Sequence, residues 1–398
     1  MDESFGPPTR RERIREQRRA ALEATKYNIH LRTFYLDRDK YDDSQSEAWA
    51  IGGWVGLKTG YFRDRVALGA TGYTSLPLYA PDDKDGTLLL QPGQDGYAVI
   101  GEIYGDFRIT DQVHANLGRK AYDTPYINRN DVRMSPNTFE AYSITGLHGG
   151  QDGAAEWRWG VGYFDKIKER NSDEFVSMSE DAGADVDRGV YAAGANYKKG
   201  DFSLGAINYY SDDIINIFYT EAKFAIPLSD ELRLQFAGQY TDQQSTGDEL
   251  LTGNEFSASQ YGLKGEVAWG PALFSLAWTS TDDYSMQNPW SGYPGYTSVQ
   301  VEDFNRAGED AWMLRAGYNF QSVPGLSTYA LYVNGNDPDG DGNYAKDEFD
   351  FNLQWAAPSG SLQGLALRFR YAVVDQDAPD SSNLNDLRLI VDYVPPGF

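Results

Sequence analysis

The sequence predicts an all-β protein, a transmembrane antiparallel β-barrel of about 18 strands. Three observations predict this class. Apolar and polar residues alternate with period two along most of the chain, many such segments have ten or more residues, and short connections alternate with long ones. Strands of about 9–11 residues are long enough to span a bilayer. We expect residues 27–398 to form the barrel and residues 1–26 to be an arginine-rich N-terminal extension.

Composition agrees with a large barrel and excludes several other classes. The 398 residues include 28 Tyr, 19 Phe and 9 Trp, which is far too aromatic for a disordered chain. A mean hydropathy of -0.56 is compatible with a membrane barrel, because only every second strand residue faces lipid. The formal net charge of -24 argues against a nucleic-acid partner. The absence of cysteine from the sequence excludes disulfides and thiol catalysis.

Residues 9–24, TRRERIREQRRAALEA, predict a helix, since Arg, Glu, Gln and Ala are good helix formers. The six arginines of this segment permit three interpretations. They form a solvated face, they belong to a plug that enters the lumen, or they form an association helix that contacts the acidic remainder of the protein.

From Tyr27 onward the period changes to two. In the first strand, Leu31 lies on an apolar face and Arg32 on the opposite, polar face. Near residues 96–108, Val99 and Ile103 share an apolar face, and the side chain at position 102 lies on the polar one. If the apolar faces point to lipid, the charged faces line a lumen. Aromatic residues fall largely near the strand ends, where interface girdles place them.

The connections predict the orientation of the barrel. Short turns occur at every second connection, as in outer-membrane barrels with short periplasmic turns and longer extracellular loops. Soluble sandwiches and propellers have no reason to sort loops in this way. The longer segments are 37–46, 76–95, 120–137, 167–186, 243–255, 282–307, 336–345 and 375–384. Only the connection near 211–213 breaks the alternation.

One long connection, Leu117–Ala141, has a dense mixture of charges between Pro125 and Pro136. It is either a solvated surface loop or a loop folded into the lumen, where its charges select what passes. The residues that would act in such a constriction loop are Arg119, Arg129, Asp131 and Arg133.

Four arginines on lumen-facing positions come from the first strand and the last two strands, namely Arg32, Arg368, Arg370 and Arg388. Barrel closure makes these three strands neighbours. A row of guanidinium groups would pass an anion from site to site without holding it tightly. The alternative is that each arginine forms a structural pair with a lumenal carboxylate such as Asp392 or Glu102.

Four segments carry a resemblance to a known family: NIHLRTFYLDRD, TPYINRNDVRMSPNTFEAYSITG, NGNDPDGDGNYAKDEFDFNLQW and NDLRLIVDY. They resemble the OprD-like family of Gram-negative outer-membrane porins. The resemblance implies an eighteen-stranded barrel, an inward-folded third external loop that shapes a narrow eyelet, and an arginine ladder along one wall. It also implies passive uptake of small, often carboxylate-bearing nutrients. By position, Arg129, Asp131 and Arg133 match the inward loop, and Arg32, Arg368, Arg370 and Arg388 suit the ladder.

Further expectations concern partners and departures from the family pattern. We expect an integral protein of the bacterial outer membrane, in contact with its lipid and lipopolysaccharide, that is either a monomer or a trimer. The arginine-rich residues 9–24 are not part of the family pattern. The ending VPPGF places two prolines just after the last strand, which is unusual.

A second pattern predicts calcium. The segment Asp337–Glu348, DPDGDGNYAKDE, places acidic residues at positions 1, 3, 5 and 12 of a calcium-loop template, with Gly at position 6. The flanking helices of an EF-hand are absent from the sequence pattern, and an acidic hairpin turn is the alternative. The candidate ligands are Asp337, Asp339, Asp341 and Glu348. We expect no other cofactor.

The function that these patterns favour is an outer-membrane diffusion channel for small anionic solutes. The alternatives are a barrel enzyme and a calcium-binding surface or structural barrel protein. We expect no enzyme, because the only histidines are His30, His114 and His148, and none stands beside a recognisable nucleophile motif. An open, conductive lumen distinguishes the channel from both alternatives.

Overall fold

The computed structural model describes residues 10–340, 342–379 and 383–397. Its strands form one antiparallel sheet that closes on itself where the first strand pairs with the last. The strands are β1 (Lys26–Asp39), β2 (Gln45–Lys58), β3 (Val66–Tyr79), β4 (Tyr97–Arg108), β5 (Val113–Lys120), β6 (Thr138–Gly149), β7 (Glu156–Lys168), β8 (Val176–Ser177), β9 (Val190–Lys199), β10 (Phe202–Ser211), β11 (Ile215–Pro227), β12 (Leu232–Ser245), β13 (Ser257–Trp269), β14 (Ala272–Thr281), β15 (Asp310–Asn319), β16 (Leu326–Asn336), β17 (Lys346–Ala356), β18 (Leu365–Gln376) and β19 (Leu384–Tyr393).

The barrel itself has 18 strands, because β8 has two residues and pairs only with the end of β7, while β7 pairs directly with β9. The predicted fold class is therefore confirmed. Apart from β5, with 8 residues, the barrel strands have 10 to 14 residues, enough to cross a bilayer when tilted. Closure pairs residues 31–39 of β1 with residues 385–393 of β19.

The outer face of the barrel is apolar. Leu31, Val55 and Ile100 are 51–61% exposed, whereas Arg32 on the inner face is 8% exposed. The predicted position of Val99 on the apolar face is wrong. A β-bulge leaves Gly101 unpaired between β3 and β4, so the alternation reverses there and Ile100 faces outward instead.

The connections alternate in length as predicted. One end of the barrel, the turn end, has the connections 59–65, 109–112, 150–155, 200–201, 228–231, 270–271, 320–325 and 357–364. The opposite loop end has the connections 40–44, 80–96, 121–137, 169–189, 212–214, 246–256, 282–309, 337–345 and 377–383. The three-residue connection 212–214 is the predicted exception, and 40–44 is shorter than predicted.

In the part of the chain that the structure describes, two helices and three short 3-10 turns are not part of the barrel wall. Helix α1 (Arg10–Glu23) confirms the predicted helical segment. It contacts the turn end, where the Gly60 N–H donates to the Ala21 carbonyl oxygen at 2.9 Å and the Arg18 guanidinium lies 5.9 Å from the Phe62 ring. Residues 1–9 of the predicted extension lie outside the described residues. The other elements are helix α2 (Met178–Asp181) and the turns Asp82–Lys84, Gln151–Gly153 and Gly360–Leu362. In the described residues, no helix is both long and apolar enough to cross a membrane.

Candidate channel constriction

The connection 121–137, here called the first loop, crosses the inside of the barrel. Its Tyr126 and Ile127 are fully buried against inner-face residues of β10 and β11, and the Tyr126 N–H donates to the Tyr209 hydroxyl at 3.3 Å. Further along the loop, Met134 is fully buried against β1 and β2. In an 18-stranded barrel, β11 stands opposite β1. The loop therefore spans the lumen, which excludes a solvated surface loop.

The connection 282–309, here called the second loop, also folds inward. Trp290 is fully buried in the same cluster as Tyr126, and its indole Nε1–H donates to the Met178 carbonyl oxygen at 3.0 Å. Ser291 forms an isolated β-bridge with Ile127 of the first loop and accepts a hydrogen bond from the Asn130 amide at 2.7 Å. The constriction is thus built from two loops that contact each other.

The two loops approach each other closely at Gly292. A Cβ atom there would lie 2.6 Å from the Pro125 carbonyl oxygen and 2.7 Å from that of Tyr126. Only glycine allows this contact between two backbones without a shift.

The tip of the second loop is attached to the barrel wall at β17 and β19. The Val301 and Glu302 N–H groups each donate to the Glu348 carboxylate at 2.8 Å. The Gln300 side chain donates to Asp386 at 2.7 Å, and Arg388 donates to the Gln300 carbonyl oxygen at 3.0 Å. These contacts join residues that are between 46 and 88 positions apart in the sequence.

The four predicted ladder arginines lie on three adjacent strands, as expected from closure. Two of them have structural partners. Arg32 donates to Asp392 at 2.6 Å, to Asp131 of the first loop at 2.7 Å and to the Arg133 carbonyl oxygen. Arg388 is 2% exposed, and its Nε lies 2.5 Å from Asp386. The alternative stated for each ladder arginine, a structural pair with a lumenal carboxylate, therefore holds for Arg32 and Arg388.

The other two ladder arginines have no carboxylate partner in the described part of the chain. Arg368 donates to the neutral Asn352 side chain at 2.6 Å. Arg370 stands directly opposite Arg388 in the sheet, and its buried Nε has no acceptor among the described residues. Arg368 and Arg370 thus differ from Arg32 and Arg388, which pair with carboxylates.

The four residues predicted for the constriction loop have different locations. Arg119 is in β5, not in the loop, and it stands opposite the outward-facing Ile103. There it pairs with Glu140 at 2.9 Å, so its assignment to the constriction is wrong. The strand continues to Lys120, the first residue of the connection predicted as 120–137.

Within the first loop, Arg129 pairs with Asp123 at 2.6 Å, and both side chains are about half exposed. Arg133 is 6% exposed, and its Nε donates to the Thr87 carbonyl oxygen of the connection 80–96 at 2.8 Å. Asp131 accepts the bond from Arg32 described above. Arg133 and Asp131 therefore fix the loop in place, whereas Arg129 remains partly accessible.

Further arginines that the sequence did not single out lie near the constriction. Arg170, in the connection 169–189, is close enough to Arg133, Arg388 and Arg38 to interact electrostatically with them. Arg38 pairs with Asp386 at 2.6 Å. Two of these four guanidinium groups, those of Arg38 and Arg388, pair with the fully buried Asp386 carboxylate.

A pH-sensitive group lies beside this cluster. Asp181 is in helix α2, within the connection 169–189. Burial of its carboxyl group and repulsion from Glu169 raise the pKa of Asp181 to about 8, and the nearby Arg170 only partly offsets this. The group is therefore neutral at neutral pH.

The predicted calcium ligands do not converge in the described part of the chain. Glu348 is in β17, fully buried, with its carboxylate bound to the second loop. Asp337 and Asp339 are in the connection 337–345, and Asp341 lies outside the described residues. No group of three His, Asp or Glu side chains suited to a metal occurs in 10–340, 342–379 and 383–397. Calcium binding stays a prediction.

The inward position of the second loop was not predicted, although its closely spaced aromatic residues indicate it. The segment NPWSGYPGY places Trp290, Tyr293 and Tyr296 at three-residue spacing in a connection that was predicted only as one of the longer loops. Large aromatic side chains so closely spaced indicate burial rather than exposure.

A closed barrel with an apolar outer face and two loops folded into its lumen defines the class of channel-forming membrane porins. The family model of the outer membrane porin, OprD family, matches residues 20–396. The chain belongs to the OprD family of outer membrane porins. The resemblance stated from the sequence is confirmed, and most of helix α1 precedes the matched region.

Known relatives agree with this assignment. Porin D of Pseudomonas aeruginosa is 26% identical over 423 residues, which cover 94% of this chain and 91% of that protein. The crystal structure of Pseudomonas aeruginosa OccK9 (OpdG) superposes with a TM-score of 0.84 at 24% identity, covering 94% of this chain and 99% of that chain. Pseudomonas aeruginosa OpdK with vanillate superposes with a TM-score of 0.81 at 21% identity and the same coverage.

Membership places the protein in the outer membrane of a Gram-negative bacterium, where porins of this family pass small solutes. The family consists of channels and not of enzymes. The turn end of the barrel is then periplasmic and the loop end extracellular.

Proposed function

We propose that this porin takes up small anionic solutes, above all carboxylates, and that Arg368 and Arg370 guide them past the two-loop constriction. One observation carries the proposal. On the inner wall at β18, neither of two neighbouring arginines forms a salt bridge with a carboxylate in the described residues. Guanidinium groups bind carboxylates in a forked geometry and stay charged at every physiological pH.

The wider surroundings support the same preference. Arg170 adds a further positive charge on the extracellular side, beside Arg133 and Arg388. The solved relative OpdK was crystallised with vanillate, a carboxylate. A row of cationic side chains that each bind the solute weakly favours conduction, because the solute must leave each site as well as enter it.

Liposome swelling tests this proposal with two solutes of similar size, gluconate and glucose. We expect wild-type liposomes to admit gluconate faster than glucose. Replacing both wall arginines (Arg368→Gln with Arg370→Gln) should remove the advantage of gluconate and leave glucose entry unchanged.

The matched control is Arg233→Gln. Arg233 also lies at the lumen side of a strand but pairs with the exposed Asp201 at the turn end, at 3.0 Å. Its replacement should preserve the gluconate advantage. Faster entry of glucose than of gluconate into wild-type liposomes would overturn the proposal. The expected contacts with lipopolysaccharide and the expected monomeric or trimeric state stay predictions.

A further inference from the structure

Helix α1 carries its positive and negative charges on separate faces. In a helix, side chains that are three, four or seven positions apart lie on the same face. Three arginines with this spacing form a row, here called the arginine stripe: Arg11, Arg15 and Arg18. Leu22 continues the row by one further turn. A different face collects the three carboxylates of the helix: Glu12, Glu16 and Glu23. All these side chains are exposed, so the stripe is open to a partner.

The arginine stripe reaches the lipid-facing side of the barrel rim. The C-terminal half of the helix packs against the connection 59–65, where Phe62 forms an isolated β-bridge with Val66. Residues that stand opposite each other in a sheet share a face. Val66 also shares its face with Leu68, which is 57% exposed on the outer side of β3. Arg18 lies 5.9 Å from the Phe62 ring. This contact places the end of the stripe outside the lumen, which argues against a plug.

Positive charge is concentrated in this sector of the turn end. The connection 59–65 contains Arg63 and Arg65 with a single acidic residue, whereas the other seven turn-end connections contain five acidic residues and no Lys or Arg. The Arg63 guanidinium lies 5.4 Å from the Phe62 ring, beside which Arg18 also lies. Arginines from two different elements therefore flank one lipid-facing aromatic ring.

The position of this surface selects its partner. The strands end here at the periplasmic edge of the bilayer, where the phosphates of phospholipid headgroups lie. Guanidinium groups bind phosphate oxygens in a forked geometry, and clusters of basic residues at a membrane surface are attracted to anionic lipids. Leu22, 66% exposed, can enter the apolar boundary beside the headgroups. The acidic extracellular connections of a second copy lie across the membrane and cannot reach the stripe.

We propose that the arginine stripe and Arg63 bind the headgroups of anionic phospholipids in the periplasmic leaflet of the outer membrane. The guanidinium groups donate hydrogen bonds to the phosphate oxygens, and Leu22 lies at the acyl boundary. The carboxylate face of the helix then points away from the headgroups, so like charges are kept apart. This binding surface is independent of the solute that the channel passes.

Native mass spectrometry of the purified full chain in a neutral detergent tests this surface. The probes are dioctanoyl phosphatidylglycerol, which is anionic, and dioctanoyl phosphatidylcholine, which is zwitterionic. We expect wild-type protein to bind phosphatidylglycerol more tightly, and the preference to shrink as the ammonium acetate concentration rises. The triple variant Arg11→Gln with Arg15→Gln and Arg18→Gln should weaken phosphatidylglycerol binding roughly a hundredfold, because each arginine beside an anionic surface contributes about fivefold.

Two further variants serve as controls. One removes three cations from lumen-facing positions near the turn end, as Arg158→Gln with Lys198→Gln and Arg233→Gln, and should keep the wild-type affinity. The other replaces the three stripe arginines by lysine, which keeps the charge and should retain most of the binding. All variants are first checked for the heat-sensitive electrophoretic mobility of a folded barrel.

Equal affinity of the wild type for the two phospholipids would overturn the proposal, as would equal phosphatidylglycerol affinity in the wild type and the glutamine triple variant of the stripe. Co-sedimentation with purified peptidoglycan that depends on the stripe, without a preference for phosphatidylglycerol, would also overturn it and would assign the surface to the cell wall.

Discussion

The Arg388 guanidinium is enclosed by the Asp386 carboxylate and by the backbone of Gln300 in the second loop. Arg32 has the equivalent position for the first loop, between Asp392 and Asp131. Each of these arginines connects an inward loop to the wall. A charge held in this way orders the constriction, whereas the proposed function assigns contact with a passing solute to Arg368 and Arg370.

Replacing Arg388 by glutamine should therefore affect stability as well as transport. Asp386 is fully buried, and removing one partner of a buried ion pair costs about 3–5 kcal/mol. We expect a loss near 3 kcal/mol, the lower end of that range, since Arg38 still pairs with Asp386. The free energy of unfolding in denaturant measures this loss. Arg19→Gln, in an exposed helix pair with Glu23, is the control and should leave stability unchanged.

Asp181 gives the connection 169–189 a pH dependence. Its folded-state pKa of about 8 is higher than the value near 4 in an unfolded chain, so the folded state binds an extra proton between these limits. Stability from this group is fully present below about pH 4 and is lost as the pH rises towards 8. We expect the unfolding temperature to fall from pH 6 to pH 9 by more in wild type than in Asp181→Asn. Equal changes in both proteins would contradict the assignment.

At the scale of elements, the strands follow from the sequence far more completely than the loops. Period-two alternation is a local property, so the strand count, the strand lengths and the order of long and short connections were all predictable. The prediction for Val99 was wrong because the bulge at Gly101 reverses the alternation of the strand. Nothing in the local sequence pattern marks such a bulge. The second loop and the roles of Arg32 and Arg388 depend on contacts between distant residues, which no local pattern records.

The contact between the two loops can be tested at Gly292. Alanine there places a Cβ atom within 2.7 Å of two carbonyl oxygens, so the loops must separate. We expect Gly292→Ala to raise the single-channel conductance and to lower the unfolding temperature. Gly265→Ala is the matched control, because its Cβ would meet no atom closer than 3.9 Å. An unchanged conductance in Gly292→Ala would show that the contact does not set the width of the channel.

At the scale of the whole molecule, the acidic residues behind the net charge of -24 and the arginines of the inner wall are distributed differently. Acidic residues are frequent in the extracellular connections, for example Asp82, Asp83 and Asp85 in the connection 80–96. Inside the barrel, the guanidinium groups of Arg315, Arg368 and Arg370 have no carboxylate partner in the described residues. Selectivity is governed by charges close to the narrowest passage rather than by the total charge, since solution ions screen the remote ones within about 8–10 Å.

The reversal potential of wild-type channels in a KCl gradient tests this account most directly. If the constriction is positive, chloride passes more readily than potassium, and the sign of the potential reports anion preference. The double variant Arg368→Gln with Arg370→Gln should shift the potential towards the value of an unselective pore, and Arg233→Gln should not. Cation preference in the wild-type channel would contradict the account.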